Sequence, residues 1–137
     1  MRFLVDANVL SEPTRAIPNP HVVNWLRQHE PDLAVDPIIL GEVLFGILLL
    51  PKGKRRTRLE QWFSAGVQRL HCLSWEAETG VKWAGLLASL RRAGRAMPIK
   101  DSLIAATALV HGLTIATRNG RDFAKAGVNL VDPFEAR

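Results

Sequence analysis

Several carboxylates in this sequence lie in or beside apolar segments, where an unpaired charge is costly to bury. Asp6 ends the apolar run FLV, and Glu42 lies inside the segment IILGEVLFGIL. Asp101 begins the largely apolar segment DSLIAATALV, and Asn119 and Asp122 lie in ATRNGRDF. A carboxylate at the end of a buried strand requires a compensating partner. These acids are therefore candidates for one shared functional site.

The residue types indicate which chemistry such a site would perform. Clustered carboxylates raise one another's pKa unless a cation neutralises them. Oxygen ligands without a group of His or Cys side chains favour Mg²⁺ or Mn²⁺ over zinc, and the histidines of this chain lack the spacing of zinc ligands. Two such ions about 4 Å apart would suit hydrolysis of a phosphodiester bond. The formal net charge of +5 also suits a nucleic acid partner, because a basic surface attracts its phosphates.

Each acid also has a simpler structural interpretation. Asp6 could cap a turn, and Glu42 could pair with an arginine. Asp101 could be a first-turn helix acid, and Asp122 could be a surface acid. Asp36 is predicted to be a helix cap, because a proline follows it directly.

The sequence lacks several other catalytic motifs. It has no glycine-rich phosphate loop and no GxSxG elbow. An aspartate at a strand end also fits phosphoaspartate chemistry, but haloacid-dehalogenase-like phosphatases usually carry a second aspartate where this chain has Asn8. A receiver domain would place its acceptor aspartate at the third strand. The single cysteine, Cys72, fits a reducing compartment, and we expect a cytoplasmic protein because no signal peptide or membrane-spanning stretch is found.

The elements that would position these acids alternate between strands and helices. The predicted strands span residues 3–6, 33–35, 70–73, 113–117 and 128–131. Predicted helices follow caps at Asn19 and Asp36, span residues 54–69, begin at Ser74 and run to about residue 93, and span residues 101–111. A polar loop, SEPTRAIPNP, separates the first strand from the first helix. We predict core or dimer contacts, rather than base-stacking platforms, for Trp62, Phe63, Trp75 and Trp83.

This order predicts the fold class. Alternating strands and helices imply right-handed βαβ units and a parallel sheet of four to five short strands, covered on both faces. We therefore expect a single three-layer α/β/α domain over residues 1–137. Functional sites in such sheets lie beyond the carboxyl ends of the strands, near the topological switch point. Asp6 is predicted to lie at such a position.

Four segments resemble a known family in their order and spacing: VDANVLSEP, GEVLFGILLLPKG, MPIKDSLIAATA and ATRNGRDF. They resemble the PIN-domain ribonucleases, and most closely the VapC/FitB group of bacterial toxins. The resemblance extends from about residue 3 to residue 133. It implies a catalytic and metal-binding set formed by Asp6, Glu42, Asp101, Asp122 and, at a second, weaker metal position, Asn119. It also implies that Thr117 supports this set by hydrogen bonding and that Asn8 holds the loop after the first strand.

The resemblance further implies an activity and partners. Members of this group cut RNA endonucleolytically with Mg²⁺ or Mn²⁺, often at a tRNA or rRNA site. They form homodimers, and a cognate VapB/FitA-like antitoxin inhibits them and carries the complex to operator DNA. Two other classes stay open. One is a non-catalytic PIN-like subunit that acts with an antitoxin as a DNA-binding autoregulatory complex. The other is a structure-selective DNA nuclease, for whose insertions this chain is short.

Two residues depart from the resemblance or are not diagnostic of it. Asp36 stands where relatives often carry Ser or Thr, so an extra acid there could touch the site. Lys100 could contact phosphate, although facing solvent is the simpler interpretation. The candidate RNA-binding residues are Arg91, Arg92, Arg95, Lys100 and Arg118. A solvated helix face would explain the arginine cluster of residues 91–95 equally well, and the same holds for the basic group at residues 52–58.

Overall fold

A parallel sheet of five strands forms the centre of the fold. The computed structural model describes residues 1–135. The strands are β1 (Phe3–Val5), β2 (Leu33–Val35), β3 (His71–Cys72), β4 (Thr114–Ala116) and β5 (Leu130–Val131). Their order in the sheet is β3-β2-β1-β4-β5, and each neighbouring pair is parallel. The order reverses at β1, so the carboxyl end of β1 lies at the topological switch point. The predicted α/β class with a central parallel sheet is confirmed.

Helices connect the strands and cover the sheet. They are α1 (Ala7–Leu10), α2 (Pro20–Gln28), α3 (Pro37–Leu48), α4 (Lys54–Ala65), α5 (Ala77–Arg92), α6 (Ile99–His111) and α7 (Gly120–Phe123). Short 3₁₀ turns lie at Glu12–Thr14, Glu30–Asp32, Val67–Arg69 and Ala124–Ala126. In residues 1–135, no helix combines the length and the apolar composition that crossing a bilayer requires.

Local signals fix the ends of the helices next to the site. The Asn19 side chain accepts the backbone N–H of His21 at the start of α2, as its cap position predicts. Asp36 caps α3 in the same way, with Pro37 in the first turn. Gly112 ends α6 with a φ of +65°, a left-handed conformation that would strain a residue with a side chain.

Two helix starts and one helix end differ from the sequence prediction. α5 begins after Glu76 rather than after Ser74, because Glu76 forms a capping box with Thr79 while the Ser74 hydroxyl donates to the Glu76 carboxylate at 2.8 Å. α6 begins two residues before Asp101, since Pro98 occupies the cap position. Asp101 therefore lies inside the first turn of α6. α4 ends before Gly66, and the remainder of the predicted helix is a 3₁₀ turn.

The strands and the first loop also differ in detail. β1 is one residue shorter than predicted because the side chain of Asp6 caps α1. The predicted polar loop contains the Glu12–Thr14 turn, and α1 precedes it. The two edge strands, β3 and β5, have two residues each rather than four.

The three inner strands form the most buried part of the core. Leu4, Val5 and Ile115 have no exposed surface. Phe63 is buried, and Trp62 packs against the same core. Burying both faces of β1, β2 and β4 under helices fixes the carboxyl end of the sheet as a rigid edge on which polar side chains can be placed.

Candidate active site

Asp6 lies directly after β1, at the switch point of the strand order. Its backbone N–H donates to the carbonyl of Ala116 at 2.9 Å, which continues the pairing of β1 with β4. Its Oδ1 accepts the backbone N–H of Ala7 at 2.8 Å and so caps α1. Burial raises the pKa of Asp6, whereas the hydrogen bonds from Thr117 and Ala7 oppose that shift. The interpretation of Asp6 as a cap is correct for Oδ1, and Oδ2 takes part in a different set of contacts.

A polar network joins Asp6 to the loop that follows β4. The Thr117 hydroxyl donates to Asp6 Oδ2 at 2.7 Å and accepts the backbone N–H of Asn119 at 3.0 Å. Asn8 Nδ2 lies 3.4 Å from both Asp6 Oδ2 and Thr117 Oγ1. Asn8 Oδ1 accepts the backbone N–H of Arg118 at 3.2 Å. These contacts fix the orientation of the Asp6 carboxylate; that Asn8 and Thr117 serve a reaction stays a prediction.

Glu42 extends from α3 towards the same region. Its Oε2 accepts a hydrogen bond from Lys100 Nζ at 3.3 Å. Its Oε1 is buried and has no hydrogen-bond partner within residues 1–135. An ion pair with a lysine thus takes the place of the arginine pair considered from the sequence. An oxygen removed from water without a partner costs about 1–3 kcal/mol, so the protein compensates Glu42 incompletely.

Asp101 is the acid most affected by its neighbours. The pKa of Asp101 is raised from 3.8 to about 6, mainly by burial and then by the negative charges of Asp6, Asp122 and Glu42, while Lys100 lowers it. Such coupling weakens quickly with distance in a solvated site. The charges of Asp6, Glu42 and Asp122 thus all act on Asp101, which makes these four acids one candidate group.

The last two members of the predicted set lie around α7. Asp122 is in the first turn of α7, and Asn119 precedes that helix at the cap position. The Asp122 backbone N–H donates to the Asn119 carbonyl at 3.1 Å. The negative charge of Asp122 reaches Asp101, whereas Asn119 joins the network through its backbone bond to Thr117.

Asp36 has a structural environment separate from these acids. It has no exposed surface, its Oδ1 accepts the backbone N–H of Ile39 at 2.9 Å, and its Oδ2 accepts the Thr107 hydroxyl at 2.7 Å. Burial raises the pKa of Asp36, and these bonds oppose the shift. The predicted cap is present, and it also links α3 to α6. Asp36 thereby connects the two helices that carry Glu42 and Asp101 without joining their cluster.

The donor set fits a hard divalent cation. It offers carboxylate oxygens, and the unpartnered Oε1 of Glu42 is an oxygen that a cation would compensate. Asp6, Glu42 and Asp101 are the side chains that could hold such an ion, with Asp122 beside them. As they stand, no three acidic, histidine or cysteine side chains in the described part of the chain form a complete ion-binding cluster. Binding would therefore require the carboxylates to move together.

The side chains of the candidate phosphate-binding arginines lie outside this network, although the backbone N–H of Arg118 belongs to it. Arg91 and Arg92 are exposed at the end of α5, and Arg95 is exposed in the following loop. The Arg118 guanidinium lies over the ring of Phe134, 4.6 Å from its centroid. Within residues 1–135, no ion pair involves these arginines. They remain available to an anionic ligand, and their role in RNA binding stays a prediction.

Two contacts were missed by the sequence analysis. Glu12 is only 5% exposed and accepts the backbone N–H of Asn19 at 2.8 Å, which closes the loop between α1 and α2. Glu12 could have been singled out as the acid of the segment SEP, which was compared only with the PIN-domain family. The second contact is the pair of Glu42 and Lys100, whose members lie 58 residues apart in sequence.

Comparison with known proteins gave consistent matches over nearly the whole chain. A PIN domain family model matches residues 3–129. Plasmid stability protein StbB of Pseudomonas syringae pv. tomato is 39% identical, covering 98% of this chain and 99% of the relative. VapC ribonuclease Y4jK of Sinorhizobium fredii is 32% identical, with 97% and 98% covered. Toxin FitB of Neisseria gonorrhoeae is 32% identical, with 96% and 98% covered. A solved structure of FitAB bound to an IR36 DNA fragment superimposes with a TM-score of 0.91 at 30% identity, covering 98% of this chain and 97% of the other.

Proposed function

This chain belongs to the PIN domain family, and on that premise we propose that it is a Mg²⁺- or Mn²⁺-dependent endoribonuclease. It hydrolyses RNA phosphodiester bonds and is the toxin of a VapBC-type toxin–antitoxin pair in the cytoplasm. Relatives named as a VapC ribonuclease and as Toxin FitB support this assignment. The observation that carries the proposal is the electrostatic coupling of Asp101 to Asp6, Glu42 and Asp122, which come from separate elements of the fold.

In this proposal, each acid has a defined task. Asp6, Glu42 and Asp101 hold the cation, and Asp122 with Asn119 provides a second, weaker position. A bound divalent cation would supply activation of water and stabilisation of charge on the leaving oxygen. The protein contributes fixed ligand geometry, and a ligand held by hydrogen bonds reorients less on binding.

The supporting polar residues maintain that geometry. The Thr117 hydroxyl and the Asn8 amide donate towards Asp6 Oδ2, so the carboxylate is held from two elements. The bond between Asp36 and Thr107 fixes α3 against α6. A displacement of a catalytic group by about 1 Å can lower a rate about 100-fold, so these contacts matter for activity as well as for stability.

The RNA would lie across the acidic edge with its phosphates held by basic side chains. The arginines at residues 91–95 and Arg118 are the candidates for that rim, with Lys100 beside Glu42. Phosphate contacts position a nucleic acid without reading its sequence. The bond that is cut is therefore selected by the shape of the groove and by the fold of the RNA, for which a tRNA or rRNA site is our proposal.

The proposed partners follow from the relatives. A cognate VapB/FitA-like antitoxin binds this chain and keeps it inactive, and the chain forms a homodimer. FitAB has been solved on a DNA fragment, which supports a complex that reaches operator DNA through its antitoxin.

The test is cleavage of RNA by purified, antitoxin-free protein. Wild-type protein and the Asp6→Asn variant are incubated with total bacterial RNA in Mg²⁺ or Mn²⁺ and, separately, in EDTA. Glu78→Gln, which neutralises an exposed acid on α5, is the matched control. We expect discrete cuts that require both the cation and Asp6, with Glu78→Gln active. Circular dichroism should show Asp6→Asn folded, because the change removes charge repulsion between acids.

Two results would contradict the proposal. One is full activity in Asp6→Asn, and the other is cleavage that persists in EDTA. If folded, metal-bound protein cuts no RNA in the pool yet tightens the antitoxin's binding to operator DNA, the alternative of a non-catalytic subunit takes precedence.

A further inference from the structure

Lys100 is the only lysine among the charges that shift the pKa of Asp6 or Asp101. It immediately precedes Asp101 in the first turn of α6, and its Nζ donates to Glu42 Oε2 at 3.3 Å. The Lys100 side chain is 64% exposed and that of Glu42 is 25% exposed. Helix α6, which carries Asp101, therefore also carries a positive charge beside the acids, the ammonium of Lys100.

Lys100 binds one of the two carboxylate oxygens of Glu42, Oε2. Glu42 has one buried oxygen without a partner in the described residues and a second oxygen that is bound to Lys100. A divalent cation that uses Glu42 must therefore meet the ammonium at the same carboxylate. Because like charges at short range repel each other, the two cations cannot both occupy that position at full strength.

The geometry also allows Lys100 to withdraw. Its side chain is mostly exposed, so water can solvate the ammonium when it leaves Glu42. The backbone at this point of α6 is held in place, because the hydroxyl of Ser102, two residues after Lys100, accepts from Trp83 Nε1 at 2.9 Å and donates to the Ile99 carbonyl at 2.6 Å. The Lys100 ammonium can therefore change position while its backbone stays in place in α6.

We propose that Lys100 is a tethered counterion that competes with the divalent cation for Glu42 and so weakens cation binding to the acids Asp6, Glu42 and Asp101. This inference rests on the proposed function, which assigns the cation to these acids. In the absence of the cation, the ammonium lowers the repulsion among the carboxylates. When a cation binds these acids, the Lys100 ammonium would leave Glu42 for the solvent, to which its side chain is already mostly exposed.

The competition predicts a measurable change in affinity. Neutralising Lys100 removes both its ion pair with Glu42, which is weak because it is partly exposed, and its repulsion of the divalent cation. Mn²⁺ binding should therefore tighten about three- to tenfold. Lys100→Gln removes the charge and retains a side chain of similar length. Lys100→Arg keeps the charge and should bind Mn²⁺ as the wild type does. Lys54→Gln removes the same charge at the start of α4, where it acts on neither Asp6 nor Asp101.

The experiment measures Mn²⁺ binding without reference to activity. Metal-stripped full-length proteins are titrated with Mn²⁺, and the free ion is followed by electron paramagnetic resonance at constant ionic strength. The series comprises wild type, Lys100→Gln, Lys100→Arg, Lys54→Gln and Asp6→Asn. We expect a lower Kd only in Lys100→Gln and a loss of binding in Asp6→Asn. The rise in Tm on adding Mn²⁺ should also be larger in Lys100→Gln, because tighter binding to the folded state raises stability further.

The outcomes separate the inference from the proposed function. An unchanged Kd and an unchanged Mn²⁺-dependent rise in Tm in Lys100→Gln would overturn the counterion role while Asp6-dependent binding leaves the metal assignment intact. An equal gain in affinity in Lys54→Gln would also overturn it, since overall charge would then explain the effect. Failure of the wild type to bind Mn²⁺ through Asp6 would remove both proposals.

Discussion

Replacing Asp101 by asparagine should stabilise the metal-free protein at neutral pH. Burial and the negative charges of Asp6, Asp122 and Glu42 together raise the pKa of Asp101 from 3.8 to about 6. A carboxyl whose pKa is higher in the folded state binds its proton more tightly there, so its ionisation lowers stability. The penalty is complete above about pH 7 and absent below about pH 3, where Asp101 is protonated in both states. Stability of the wild type should therefore increase as the pH falls through this window.

The magnitude follows from the size of the shift. The difference between 3.8 and about 6 corresponds to about 3 kcal/mol of unfolding free energy. Asp101 is only half-buried, and screening by solvent reduces this value to about 1.5 kcal/mol. Asparagine also removes an acid from the first turn of α6, which costs about 0.5 kcal/mol. The net expectation is a gain of about 1 kcal/mol near pH 7.5.

Urea unfolding in EDTA, followed by tryptophan fluorescence, measures this gain. A slope of about 2 kcal/mol per molar urea converts the gain into a midpoint about 0.5 M higher for Asp101→Asn than for wild type. At about pH 3 the difference should disappear, because Asp101 is protonated in both the folded and the unfolded state. Glu78→Gln is the matched control, since it also removes a first-turn acid but outside the cluster, and it should be slightly destabilising. A gain of equal size at both pH values, or a loss at neutral pH, would refute the reasoning.

Two further substitutions test the contacts that hold the site. Thr117→Val removes the hydroxyl that donates to Asp6 and should lower the free energy of unfolding in urea by about 1.5–3 kcal/mol, since the bond involves a charged group. Thr117→Ser keeps the hydroxyl and should lose less stability. Equal losses in both variants would argue against the bond. Asp36→Ala removes the cap of α3 and leaves the Thr107 hydroxyl unpaired, so we expect a loss of about 2 kcal/mol. Asp36→Ser can still cap and should lose about half as much; wild-type stability in Asp36→Ala would show that the link between helices is unimportant.

The sequence predicted the features that depend on neighbouring residues. The caps at Asn19 and Asp36 are bonds to backbone groups two or three residues away, so a cap residue followed by proline was sufficient to locate them. The place of Asp6 followed from the apolar run before it and from the rule for parallel sheets. The fold class was also predictable, because the alternation of strands and helices can be recognised segment by segment along the sequence.

Contacts between distant segments were beyond local patterns. The second partner of Asp36 is Thr107, 71 residues away, and it depends on how α3 packs against α6. Lys100 was expected to face solvent, and its side chain is indeed mostly exposed. Its ammonium nevertheless binds Glu42 across the interface between α6 and α3. Ser74 was the predicted cap of α5, and the capping box between Glu76 and Thr79 places the start of the helix after Glu76 instead. The lengths of β3 and β5 depended on where their partner strands end.

The bond between Thr117 and Asp6 spans 111 residues of sequence, and this has a consequence for biosynthesis. A ribosome makes Asp6 almost first and Thr117 almost last, and at about 5–20 residues per second the interval for 111 residues is about 6–20 s. During that interval β1 lacks its partner β4, because pairing requires residues 114–116. A nascent chain released before that point carries three of the four acids but no hydroxyl donor to orient Asp6. Premature termination therefore yields a polypeptide whose acids have no completed sheet edge on which to assemble.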